Sequence, residues 1–112
     1  MMRTLFLDPG SLRAELSLQA ATPVPDGMGG HAQDWAEIAT VFARIEPVSA
    51  ASRFGPDQTV ETVTHRITLR WRNGVAAGMR FARHGRNFDI VTVHDPDETG
   101  RYLVCRAREV GL

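Results

Sequence analysis

Arginine is the residue type whose number and spacing carry the clearest chemical signal in this sequence. The chain contains no lysine, and six of its arginines lie between residues 62 and 88, where no Asp or Glu occurs. Guanidinium groups bind carboxylates and phosphates through paired hydrogen bonds, whereas like charges side by side on a sheet repel one another. The cluster is therefore expected to face acidic side chains or phosphate, with a solvated sheet face as the alternative. The six residues are Arg66, Arg70, Arg72, Arg80, Arg83 and Arg86.

The charge is unevenly distributed although its sum is zero. Residues 1–61 hold four Arg and eight acids, whereas residues 62–112 hold nine Arg and five acids. Identical subunits arranged head to tail around a ring could pair the basic strand of one subunit with the acidic edge of its neighbour. This explanation of the arginine cluster needs no nucleic acid.

The other reactive side chains form no catalytic or metal-binding pattern. The four histidines have neither helical i, i+4 spacing nor an HExxH motif, and the acids at 95–98 lack the spacing of a calcium loop. The single cysteine, Cys105, is expected to be a small buried apolar residue. We therefore expect no enzyme activity, no metal and no cofactor.

Length and composition indicate one small globular domain over residues 1–112, with its core at about 11–109. The 112 residues are 43% hydrophobic and 23% charged, and no apolar run approaches the roughly 18 residues needed to span a bilayer. The sequence also lacks the pattern of a secretory leader, so we expect no membrane association and a cytoplasmic protein.

Hydrophobic alternation predicts the elements that carry these residues. Along residues 62–72, apolar side chains and Trp71 alternate with Arg66, Arg70 and Arg72, which places the arginines on the opposite face of a half-buried strand. Further strands are predicted at 13–20, 36–48, 79–82, 87–93 and 101–108, the last four strands of the chain forming a meander. The fold class is all-β, a small antiparallel six-stranded barrel or sandwich. The predicted core includes Val41, Ile45, Val63, Ile67, Leu69, Phe88, Ile90, Val91 and Leu103.

Two long irregular stretches interrupt the predicted strands. Residues 22–34 are rich in Pro and Gly, which predicts a long exposed loop with Trp35 anchoring its base. Residues 49–61 link the two halves, and Pro56 could start one short helical turn there. Loops of this length in a compact domain are usually functional or disordered.

An ordered series of short motifs resembles the phage head-tail joining family, also called head closure, stopper or head-tail adaptor proteins. The series begins with a Leu-rich strand, followed by the Gly-rich stretch before Asp34-Trp35, and covers roughly residues 11–109. It continues with Val41 to Val48, Thr64 to Arg72, Met79-Arg80-Phe81, Gly85 to Ile90, Val93-His94-Asp95 and Cys105-Arg106.

This resemblance implies a structural protein of the virion neck, as in long-tailed phages and gene transfer agents, assembled in the host cytoplasm. The chain would be one subunit of a homo-oligomeric ring of six or twelve copies. Its partners would be a portal-side adaptor protein, a tail terminator or other tail protein, and double-stranded DNA passing through the lumen. Such a ring closes the DNA-filled head and docks the tail.

The resemblance also implies roles for the two loops. The connection after β-strand residues 36–48 would reach into the DNA channel as a gate, with Ser52, Arg53, Phe54 and Gln58 as its candidate residues. The Gly-rich loop would instead contact another protein through Met28, His31 and Trp35. The arginine cluster would serve as a subunit interface or a DNA-facing surface.

A second interpretation comes from the residues alone. A small OB-like β domain could bind nucleic acid in solution through the Arg-rich strand. The sequence is poor in the stacking aromatics that such domains use, since Trp71 is predicted on the face opposite the arginines.

Overall fold

The computed structural model describes residues 7–25, 27, 31–48 and 63–110, and the all-β prediction is confirmed there. A single 3-10 turn, Pro9–Ser11, precedes the first strand. Within these ranges no helix is long and apolar enough to cross a membrane. The helical turn predicted at Pro56 lies outside the described residues. The strands are β1 (Ala14–Pro25), β2 (His31–Pro47), β3 (His65–Arg70), β4 (Arg80–Arg83), β5 (Arg86–His94) and β6 (Tyr102–Val110).

The six strands form one antiparallel sheet that closes into a barrel with the order β1-β2-β3-β6-β5-β4. Closure occurs because β4 pairs with β1 as well as with β5. The predicted meander is wrong for β3, which pairs with β2 and β6, so that only β4 to β6 follow one another in space. Hydrophobic alternation predicts the buried face of a strand but not the strand beside it.

The barrel interior is filled by side chains that alternate along the strands. Phe81 and Phe88 are fully buried and directly paired between β4 and β5. Six of the nine predicted core residues are buried, whereas Ile45, Val63 and Val91 are partly buried. The prediction missed other members of the interior cluster: Leu16, Leu18, Ala43, Phe81 and Ala107.

The first four residues of β6 are buried on both faces of the strand, which explains the continuous apolar run from Tyr102 to Cys105. On the outer side, the turn at residues 95–100 packs back against the barrel around Asp97, whose side chain is 1% exposed. The Asp97 carboxylate accepts hydrogen bonds from Thr99 and from Arg101 Nη2, the latter at 2.9 Å. These bonds hold a polar turn against an apolar strand.

The loop predicted at residues 22–34 is wrong over most of its length, because β1 continues to Pro25 and β2 begins at His31. Their pairing runs from Ala14 with Ala43 to Pro25 with His31, which forms a two-stranded ribbon beyond the barrel. Strand β4 pairs with β1 only at Ser17 to Gln19, so the outer edge of β1 from residue 20 onward is unpaired in the described chain. Proline lacks an N–H and is accepted on such an edge. We call residues 20–25 and 31–36 the arm.

A β-bulge at Ile38 decides which way the arm presents its side chains. Leu18 pairs with Ala39 and Gln19 pairs with Glu37, so Ile38 is the extra residue on β2. One inserted residue reverses the alternation of everything before it on the strand. Trp35 therefore lies on the outer side, where it meets Arg80 of β4.

Removing a fully buried ring should measure how much the barrel depends on its interior packing. We expect Phe81→Ala to lower the free energy of unfolding by about 3–5 kcal/mol, because the truncation loses apolar burial and leaves a cavity. Urea denaturation measures this. Phe42→Ala is the matched control, since Phe42 is 54% exposed, and its effect should stay within about 0.5 kcal/mol. Equal losses in both variants would contradict the assignment of the core.

Candidate interaction surfaces

The six predicted arginines do not form one continuous surface. In the barrel order, β3 and β4 are three strands apart in either direction and so lie on opposite walls. Arg66 and Arg70 are exposed on the outer face of β3, and Arg72 follows the end of that strand. The other three belong to β4 and the start of β5: Arg80, Arg83 and Arg86.

Arg66 belongs to a cluster of cations around one carboxylate. Its Nε and Nη2 donate to the two oxygens of Glu46 at 3.3 Å each, and Arg44 Nη2 lies 2.9 Å from Glu46 Oε1. Arg106 is paired in register with Arg66 on the neighbouring strand β6. Two guanidinium groups thus share the Glu46 carboxylate, and Arg106 adds a third positive charge beside Arg66, which leaves an excess of positive charge on this wall.

The Glu46 carboxyl responds to these neighbours. Partial burial would raise its pKa, but the hydrogen bonds from Arg66 and Arg44 outweigh this effect, and the pKa lies below its ordinary value. A cavity of about 430 Å³ lies beside the cluster, with apolar lining from Val63 and Val104. Cations around an apolar floor suit an acidic protein segment better than a bare phosphate backbone.

A second cluster of charged residues, Arg86 and Glu109, lies near the β4–β5 turn. Arg86 Nε and Nη2 donate to the Glu109 carboxylate at 2.7 and 3.0 Å, and the Arg86 guanidinium lies 4.9 Å from the centroid of Phe88. His65 meets the Phe88 ring edge to face at 5.0 Å and accepts or donates a hydrogen bond with Thr64. The hydrogen bond from Arg86 lowers the pKa of Glu109. Arg86 is therefore engaged in contacts with its own chain.

Arg80 fixes the arm to the barrel. Its guanidinium carbon lies 4.1 Å from the centroid of the Trp35 ring, and its Nε donates to Gln19 Oε1 at 2.7 Å. A cation over an indole face is attracted by the ring quadrupole. Trp35 therefore lies at the base of the arm, as the sequence predicted, and the contact restrains the direction in which the arm projects.

The prediction for Trp71 is wrong. Strand β3 ends at Arg70, so Trp71 leaves the alternation and is 44% exposed instead of packing inward. It lies with the exposed Phe42 beside a depression of about 270 Å³, whose floor is apolar and which Arg70 and Arg72 also line. Neither of these arginines has an ion pair within the described ranges. We call Phe42, Arg70, Trp71 and Arg72 the aromatic patch.

Most of the remaining predicted site residues lie outside the residues that the structure describes. Ser52, Arg53, Phe54 and Gln58 of the connection between β2 and β3 lie outside the described residues, as does Met28. His31 is the first residue of β2.

Cys105 is buried in the barrel, as predicted, and burial raises its pKa to about 12. Across the described ranges, no three His, Cys, Asp or Glu side chains gather where they could hold a metal ion.

Sequence reasoning missed the contributions of Arg44, Arg106 and Phe42 to these surfaces. Alternation along residues 39–46 places Phe42, Arg44 and Glu46 on one face, so their joint exposure was readable from the sequence. That Arg106 joins Arg66 follows only from the pairing of β3 with β6.

The Glu46 cluster predicts a pH dependence of stability. Because folding lowers the pKa of Glu46 below its ordinary value of 4.5, its ion pairs stabilise the protein above that value, and the contribution is lost as the pH falls through the lowered pKa. We expect Glu46→Gln to cost about 0.5–1 kcal/mol at pH 7, with the difference shrinking between pH 5 and pH 3. Denaturation at each pH measures it, with Glu15→Gln as an exposed control. A difference that stays constant with pH would contradict this role.

Comparisons with known proteins agree with the fold. A solved structure titled as the virion of a native gene transfer agent particle contains a similar chain, with a TM-score of 0.65 and 32% identity over 88% of this chain and 96% of that chain. The search of curated proteins gives no match. The family model described as phage head completion protein matches residues 7–110, and since this is nearly the whole chain, the protein belongs to the phage head completion family and is a structural component of a virion.

Proposed function

We propose that the chain is one subunit of a ring in the virion neck, between the portal-side adaptor and the tail, that closes the DNA-filled head and docks the tail. The match to a chain of a gene transfer agent virion supports this proposal most directly. The ring would hold six or twelve copies around a lumen through which double-stranded DNA passes, and it would assemble in the host cytoplasm.

The surface chemistry is consistent with a ring subunit. The closed barrel leaves few free strand edges among the described residues, so contacts to neighbours would be made by side chains and by the arm. Heterologous ring contacts join two different surfaces of each subunit, and the cationic cluster around Glu46 is one candidate for such a surface. A small subunit has limited area for each contact, so we expect weak association alone and firm assembly on a preformed ring, which raises the effective concentration.

We further propose that the connection at residues 49–61 faces the channel. The described residues on either side of it, Val48 and Val63, line the cavity beside Arg44, Arg66 and Arg106, and Arg53 would meet phosphate. A gate needs polar groups at its tip and bending at its ends, and Gly55 and Pro56 would shape this segment. The arm would then contact another protein.

The gate assignment predicts the effect of shortening this connection. Deleting residues 54–57 should let packaged DNA leak from otherwise complete heads while tails still attach, because the ring and its docking surface are retained. Nuclease protection measures DNA retention, and electron microscopy of the same particles measures tail attachment. Retained DNA with lost tails would instead assign the channel role to the arm.

The function itself is tested by removing the whole chain. Particles made without it should contain heads without tails, and supplying the protein should restore tail attachment and DNA retention. Complete particles that form without the chain would refute the neck function.

A nucleic-acid-binding domain that acts in solution is the second candidate, and the exposed Trp71 and Phe42 beside Arg70 favour it more than the sequence suggested. Stacking on exposed rings and pairing with phosphate together bind single strands. Salt-dependent binding of single-stranded DNA by the free protein, abolished by Trp71→Ala, would support this candidate over the neck function.

A further inference from the structure

Three of the four large hydrophobic side chains that are exposed in the described chain lie on the arm or on the aromatic patch. Val24 lies on the arm, Phe42 and Trp71 belong to the aromatic patch, and Ile38 lies at the bulge between the two. Exposed apolar groups of this size in a small soluble domain mark contact surfaces. Each surface therefore calls for a covering partner.

The two surfaces are complementary in charge. The described residues of the arm include Asp34 and no arginine or lysine, and Asp34 is exposed. The aromatic patch holds Arg70 and Arg72, and these two charges exceed the one of Glu15, which is paired with Phe42 on the neighbouring strand. A carboxylate from the arm would find two guanidinium groups there.

The arm also has the right shape to fill the patch. Thr22 pairs with Asp34 and Val24 with Ala32, so the side chains of Val24 and Asp34 lie on the same face of the ribbon. The depression in the patch has an apolar floor of Leu12, Val41 and Leu69 with arginines beside it. One aliphatic side chain with an adjacent carboxylate matches an apolar depression beside guanidinium groups.

The two surfaces cannot meet within one molecule. Phe42 and Ala32 lie ten residues apart on β2, a separation of roughly 30 Å along one strand, and the Trp35–Arg80 contact holds the arm in its direction. A contact between the arm and the patch would therefore join two copies. Because the two surfaces differ, each copy can use both, which generates a ring or a helix.

We propose that the arm of one copy packs against the aromatic patch of the next, with Val24 entering the depression and Asp34 pairing with Arg70 and Arg72. The partner is a second copy of this chain. The proposal rests on the ring of the proposed function and specifies the contact that builds it.

Cross-linking tests the contact directly. Thr22→Cys on the arm and Asn73→Cys beside the patch are both exposed and leave the proposed contact intact. A short bis-maleimide should join the full-length double variant into a ladder beyond dimers, because head-to-tail contact repeats. The native Cys105 is buried with its pKa raised to about 12, so it should not react.

The control pairs Thr22→Cys with Arg106→Cys, an exposed position on β6. It should give no ladder beyond dimers. Equal ladders from both pairs, or no ladder from the first pair at high protein concentration and in purified neck complexes, would overturn the proposal.

Charge reversal adds an independent test. The variant Arg70→Glu/Arg72→Glu has an acidic arm and an acidic patch, whereas Asp34→Arg has a basic arm and a basic patch. Carried in the cross-linking background, each alone should lose ladder formation by on the order of tenfold. Mixing the two should restore it, since every contact again joins opposite charges. A mixture no better than either variant would overturn the pairing.

These results are distinguishable from failure of the proposed function. If the chain is needed for tail attachment but the cross-links and charge swaps fail, the neck function stands and this interface is wrong. If complete particles form without the chain, the proposed function fails whatever the cross-links show. If adding DNA by itself abolishes the cross-linking, the patch would be assigned to nucleic acid and the proposal would be overturned.

Discussion

The pairing of β4 with β1 is the constraint on which the rest of the structure depends. Only three residues of each strand take part, Ser17 to Gln19 with Arg80 to Ala82, yet this short ladder closes the sheet. Closure buries Phe81 and Leu18 in a common interior and leaves no free edge around the barrel itself. It also places β3 opposite β4, which divides arginines that are neighbours in the sequence between two walls of the molecule.

Mismatched strand lengths turn this closed barrel into a protein with a projecting arm. Strands β1 and β2 have 12 and 17 residues, whereas β4 has four, so the two long strands continue after their neighbours have ended. An exposed ribbon of this kind is an aggregation hazard. Uncontrolled strand addition is opposed by Pro23 and Pro25 on one strand, by the bulge at Ile38 on the other, and by the exposed Asp34. The contact between Arg80 and Trp35 adds rigidity to the arm.

The arginines divide into those that serve their own fold and those that remain available to a partner. Arg86 is paired with Glu109, and Arg80 lies on Trp35. Arg70 and Arg72 have no ion pair within the described ranges and accompany exposed aromatic rings. Arginine and aromatic side chains are the types that dominate the energetics of protein interfaces. A structural virion protein of the phage head completion family needs such surfaces, since it associates with other virion proteins.

The sequence by itself determined the fold class, the approximate positions of the six strands and about half of the interior cluster, because alternation at period two follows from one buried face of a strand. It also indicated the buried Cys105 and the anchoring role of Trp35. Only the tertiary structure decided the order of the strands in the barrel, the position of Arg106 beside Arg66, and the exposure of Trp71. These features depend on which strands become neighbours and where the pairing of two strands ends. Pairing between strands that are distant in the sequence produces no periodic pattern of residues. The arm also could not be predicted from the sequence, because Pro and Gly residues indicate a loop. A proline on an unpaired strand edge loses no hydrogen bond, and only the fold shows that this edge of β1 is unpaired.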